Sequence, residues 1–241
     1  MSTDSLLEFA RGPLFRLSFA VLVLGLIRIL FLDLWGILKA YGKTSDKRMP
    51  WQLIRSRSFE WVLPVKRMFR NRHIYSIVSF LFHIGLIAVP IFLFAHINLW
   101  KQSVGISWPA LPYSWALGLA LTTIVLGVAM LISRMVLKPI HLLSKGQDYF
   151  WLVLLLIPFT TGFICANLNI SAGLYQFLML VHVLAGDLIF LLIPFSKIAH
   201  CVLTPLSQVV GTIGWKFPAG ADEAISRITY SDAVEPKPEK G

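Results

Sequence analysis

The chain is short of charge, and of acid most of all. Charged residues fill 14% of its 241 positions, with 12 Asp and Glu against 22 Lys and Arg. A soluble domain carries roughly a quarter of its residues charged, whereas here 56% of residues are hydrophobic and the mean hydropathy is +0.72. We therefore expect an integral membrane protein. The formal charge of +10 belongs to membrane topology and not to nucleic-acid binding, because the basic clusters flank apolar runs.

Cysteine is almost absent as well. Cys165 and Cys201 stand near the ends of consecutive apolar runs that point in opposite directions, so no disulfide is expected between them. There is no Cys-x-x-Cys-His, which excludes covalent c-type haem attachment by that motif, and no cysteine cluster for an iron-sulfur centre. A cleavable leader is not expected: Asp4 and Glu8 precede the first apolar run, and no small-x-small site closes it.

What the chain has is long apolar segments. Five are long enough to cross a bilayer: about 14–38, 74–100, 115–137, 149–167 and 176–203. The fold class expected is all-α, an integral membrane bundle of five transmembrane helices forming one domain over 1–204. The loop 39–72 holds ten Lys or Arg against Asp46 and Glu60, and the connection around Arg134, Lys138 and Lys145 is also basic. By the positive-inside rule both are cytoplasmic, which puts the N-terminus outside and the C-terminus inside. Residues 205–241 read as a polar cytoplasmic tail.

Histidines carry the chemical signal. His182 and His200 lie in the fifth run, and their eighteen-residue spacing is five whole turns of a helix. They are therefore expected to share one face and to stand roughly 27 Å apart, one toward each side of a hydrocarbon core about 30 Å thick. His83 and His96 lie in the second run, with His73 at its inner mouth. Ionisable residues inside a membrane are costly and point to function. Four imidazoles on two antiparallel spans suit two b-type haems, His83 with His200 on the inner side and His96 with His182 on the outer. His73 is the alternative to His96: axial spacing favours His96, while helical rotation places His73 nearer the face of His83. Pro90, between His83 and His96, can break the register there.

Other polar residues are less specific. Arg28 and Lys197 could neutralise haem propionates on the inner side, or snorkel to lipid headgroups. Asp187 could move a proton, though a hydrogen bond to a neighbour is the simpler expectation. His73 and His141 read as interfacial, and Trp100, Trp108, Tyr113 and Trp115 as an aromatic belt.

Phe82-His83-Ile84-Gly85, His182, and Pro194-Phe195-Ser196-Lys197 with His200 together resemble the cytochrome b (gamma) subunit of respiratory nitrate reductases. They resemble still more the related cytochrome b subunits of sulfate-reducer transmembrane redox complexes and of membrane-bound heterodisulfide reductases. The resemblance covers all five spans and implies a dihaem b subunit of a prokaryotic inner-membrane oxidoreductase complex. Such a subunit passes electrons between menaquinone or ubiquinone and a cytoplasmic iron-sulfur subunit, and further membrane or periplasmic cytochrome c subunits belong to some of these complexes. Carried over, His83 and His200 match the inner-haem ligands and His182 an outer-haem ligand. The nitrate reductase subunit has its fourth ligand ten residues after the first; here that position is Leu93, which leaves His96. A quinone site near His96 and Lys101 is a further expectation. The rival reading is a non-redox membrane anchor or small permease whose histidines pack or line a path.

Overall fold

The computed structural model describes residues 3–43, 49–62 and 73–214, and among them every regular element is helical. In order they are α1 (Thr3–Phe9), a π-helical turn (Ala10–Leu14), α2 (Phe15–Lys43), α3 (Trp51–Val62), α4 (His73–Phe92), α5 (Phe94–Val104), α6 (Tyr113–Val136), α7 (Lys138–His141), α8 (Gly146–Asn167), α9 (Ala172–Leu192), two 3-10 turns (Ile193–Phe195 and Lys197–Ala199) and α10 (His200–Ile213). Five stretches are long and apolar enough to cross a membrane: Thr3–Lys43, Ile74–Phe92, Tyr113–Val136, Gly146–Asn167 and Ala172–Phe195. The described residues are thus all-helical, and the five apolar stretches indicate a multi-pass membrane protein.

Its contacts divide into two compact units, 1–23 with 67–193, and 24–66 with 194–241. In the first unit α4, α6 and α8 pack through small residues, the usual way for apolar helices without a hydrophobic driving force between them. A Cβ on Gly85 would collide with the Thr123 hydroxyl, and one on Gly127 would lie 2.6 Å from Leu156 Cδ2 and 2.9 Å from Phe82 Cε2. Phe82, Met130, Leu152 and Leu156 form the buried cluster these approaches close. Tyr113 at the start of α6 donates to Asn167 Oδ1 at the end of α8 at 2.6 Å, so those two spans are antiparallel. Gln176 at the start of α9 donates to Asp4 in α1 at 2.9 Å, so the first and last spans begin on the same side.

Two apolar runs are interrupted where continuous spans were expected. The run over 74–100 is divided at Leu93, whose φ of −72° and ψ of 129° are extended. Pro90 lies just upstream, lacking an N–H and crowding the preceding turn. The second interruption corrects the eighteen-residue argument. Helix α9 ends at Leu192, and Pro194 and the extended Ser196 (φ −134°, ψ 176°) intervene before His200 opens α10. The Ser196 hydroxyl accepts from the Ile198 N–H at 3.3 Å and starts the second 3-10 turn. His182 and His200 are therefore not on one face of one helix, and the five-turn spacing does not apply.

In the second unit α3 packs against α10, with Ile54 buried. Gly25 admits Pro194, whose ring carbons would stand 2.5 and 2.7 Å from a Cβ at that position. The basic loop contains α3, while its residues 44–48 and 63–72 lie outside the described set, as do residues 215–241 of the expected tail. The first part of that tail, through Ile213, is helix.

Candidate functional site

Breaking a helix inside an apolar environment exposes carbonyls that water cannot satisfy, and such breaks persist only where protein groups supply the donors. At Leu93 those donors come from the following segment. The Ile91 carbonyl accepts from Trp108 Nε1 at 2.8 Å and the Phe92 carbonyl from the Leu111 N–H at 2.9 Å. Helix α5 then runs to Gly105, whose φ of +80° suits a glycine at a helix C-terminus and whose N–H donates to the Lys101 carbonyl at 3.1 Å. His96 lies in the first turn of this separate helix. Its Nδ1 is 3.3 Å from the Val89 carbonyl, back across the break.

His182 comes from α9 and is held by α8. Its Nδ1 lies 2.8 Å from the Pro158 carbonyl, and its ring rests against Gly162, where a Cβ would stand 2.7 Å from Cε1 and 2.9 Å from Nδ1. Thr161 donates its hydroxyl to the Ile157 carbonyl at 2.7 Å, and the same oxygen lies 3.5 Å from His182 Nδ1.

The two imidazoles meet. Their ring centroids are 5.9 Å apart and their planes differ by 15°. A carbonyl oxygen only accepts, so in both rings Nδ1 carries the proton and Nε2 keeps the lone pair. That is the tautomer of a metal-ligating histidine, oriented by a bond from its other nitrogen. A metal–imidazole bond of about 2 Å, with roughly 1 Å more from nitrogen to ring centre, sets two axial rings about 6 Å apart. The observed centroid separation is of that size, with the two rings stacked. Among the described residues no three His, Cys, Asp or Glu side chains converge.

The other expected ligands are placed less fully. His83 is half-buried on α4, with Nδ1 2.6 Å from the Ser79 carbonyl and its ring edge-on to Phe82 at 5.7 Å. His200 is exposed, with Nδ1 2.8 Å from the Lys197 carbonyl. Both therefore share the tautomer of the meeting pair. They belong to different compact units, each described by itself. Arg28 and Lys197 are exposed members of the second unit. The His73 side chain and the Cys201 thiol fall outside the described side chains, while the Cys165 thiol is half-buried.

His141 is exposed at the joint of α6, α7 and α8, near the Arg134 carbonyl at 3.2 Å and the Tyr149 hydroxyl at 3.0 Å. Asp187 is buried and bonded to Ser18 at 3.0 Å. Trp100, expected in an aromatic belt, packs edge-on against Phe15 at 5.3 Å and Phe19 at 4.6 Å. Lys101 beside it is exposed. Sequence reasoning missed Pro158, Gly162, Trp108 and Leu111 as supports of the histidine pair. The only sequence signal for the first two was a proline and a small residue one turn apart in the fourth span.

No protein-family model matches the chain, and no solved structure was found to be similar to it. A curated protein of Nitratidesulfovibrio vulgaris, recorded under a name that states no function, is 32% identical over 161 residues, 66% of this chain and 69% of the relative. On that identity and coverage the chain belongs to the same family as the Nitratidesulfovibrio vulgaris protein.

Proposed function

We propose that this chain is the dihaem cytochrome b subunit of a quinone-linked oxidoreductase complex in a prokaryotic cytoplasmic membrane. The observation that carries the reading is the His96–His182 pair: two imidazoles 5.9 Å apart, each with Nδ1 turned to a backbone carbonyl. Haem, when bound, supplies one-electron transfer between partners. The chain's own residues hold and orient it. His96 and His182 are the axial donors of the outer site, Pro158 and Val89 fix their tautomers, and Gly162 makes room for the His182 ring. His83 and His200 are the donors of the inner site, with Arg28 and Lys197 as candidate partners of propionates on that side.

The ten Lys and Arg of the loop over 39–72 support a cytoplasmic position for that side, with the N-terminus outside and the C-terminus inside. There it offers a docking surface to an iron-sulfur subunit, while menaquinone or ubiquinone exchanges electrons and protons near the outer site, with Lys101 at its edge. Further membrane or cytochrome c subunits complete such complexes.

Reduced-minus-oxidised visible spectra of the full chain, expressed with haem supplied, test the reading. Two b-type haems per chain are expected. If no b-type band appears, the histidines belong to a membrane anchor or small permease.

A further inference from the structure

A second polar meeting point in the apolar interior lies between the first and fifth spans. Ser18 is 0% exposed and Asp187 3%. Ser18 Oγ stands 3.0 Å from Asp187 Oδ1 and 3.0 Å from the Phe15 carbonyl, while Asp187 Oδ2 is buried with no hydrogen-bond partner among the described residues. Around them are rings: Phe15 lies 6.1 Å from Phe190, one turn beyond Asp187, and 5.3 Å from Trp100. The ionisable groups carried by the packed elements include Asp4 and Glu8 on α1, Arg11 and Arg16 ahead of Ser18, His96 and Lys101 on α5, Asp148 on α8 and His182 on α9. None is hydrogen bonded to the carboxyl, whose bond is to Ser18.

Counting protons decides the chemistry. The Ser18 hydroxyl has one proton and two acceptors within reach. If it donates to the Phe15 carbonyl, the bond to Asp187 must run the other way, so the acid carries a proton and donates it to Ser18 Oγ. If it donates to Asp187 Oδ1, Oδ2 is left bare in an apolar wall, either as the second oxygen of a carboxylate or as an O–H with no acceptor, and burial penalises both. The first state satisfies the Phe15 carbonyl, the hydroxyl and one carboxyl oxygen together.

We propose that Ser18 and Asp187 form a proton-loading site inside the membrane. Loaded, Asp187 is a neutral acid bonded to Ser18, whose own proton rests on the Phe15 carbonyl. On unloading, the Asp187 O–H bond breaks, the proton leaves to water as hydronium, and the electron pair stays on the carboxylate. The Ser18 hydroxyl then rotates from Phe15 to Oδ1. No electron moves, and because both acceptors already stand at 3.0 Å, the exchange needs one hydroxyl rotation and no displaced side chain. The site stands on its own geometry and does not depend on the haem reading.

Infrared difference spectra of the full chain in an ester-free detergent, between neutral and alkaline buffer, test it. The expected result is a protonated-carboxyl C=O band at neutral pH that shifts down in deuterated water, disappears in alkaline buffer and is missing from Asp187→Asn. Ser18→Ala should keep the band but move it to higher frequency, since the acid loses its acceptor. Absence of any band separating wild type from Asp187→Asn overturns the proposal, as does a band that survives alkaline buffer unchanged. Should Asp187→Asn fail to fold, Ser18→Ala decides alone: an unmoved band overturns the site.

Discussion

His182 and His200 stand at the two ends of one apolar stretch, and they are held in opposite ways. His182 is half-buried in a regular helix, and both its hydrogen bond and its steric seat come from another span, at Pro158 and Gly162. His200 is exposed, and its ring nitrogen turns to a carbonyl three residues back, at the end of a 3-10 turn. An imidazole fixed by a neighbouring helix stays oriented only while the helices remain packed. One fixed by its own turn keeps its orientation as long as that turn persists. The difference predicts that packing changes between spans disturb the outer site selectively.

The strongest way to break the comparison is to remove each ring. On the proposed dihaem reading, His182→Ala and His200→Ala should each lower haem from two per chain to one, and the double variant should hold none, measured as haem per protein. A double variant that still binds one haem would remove at least one of the two residues from the ligand set, and one that still binds two haems would remove both. Crowding the seat is the sharper test of tertiary control. Gly162→Val should cost about 1–3 kcal/mol through overpacking against the His182 ring, with the haem loss confined to the outer site.

Next comes the support of the Leu93 break. Trp108→Phe removes the indole donor to Ile91 and should cost about 1 kcal/mol, seen as a lower midpoint of thermal unfolding and a weakened outer site. The smallest effect belongs to the locally held end. Ser196→Ala removes the cap ahead of His200 and should cost about 0.5 kcal/mol, leaving His182 and its spectrum unchanged.

How far the sequence could be read follows the same division. The five spans were legible because a run of about 20 apolar residues leaves few alternatives to crossing a bilayer. Pro90 announced the break near Leu93, although the extended residue falls three positions later. Pro194 carried an equally plain signal against a continuous fifth helix, and the eighteen-residue periodicity was extended across it all the same. The meeting of His96 with His182 was expected by matching depths alone. What brings them to 5.9 Å is the turn of α5 away from α4, and no one-dimensional spacing encodes that. Nor could Asp187 be assigned Ser18, since that contact joins spans at opposite ends of the chain.

The break at Leu93 also bears on the order in which the protein is made. Trp108 and Leu111, which satisfy its carbonyls, follow within the same hairpin, so the bend carrying His96 is complete once α6 is inserted. His182 and its seat on Gly162 arrive only with the last two spans. On the proposed haem reading, loading of the outer site would then follow insertion of the whole chain.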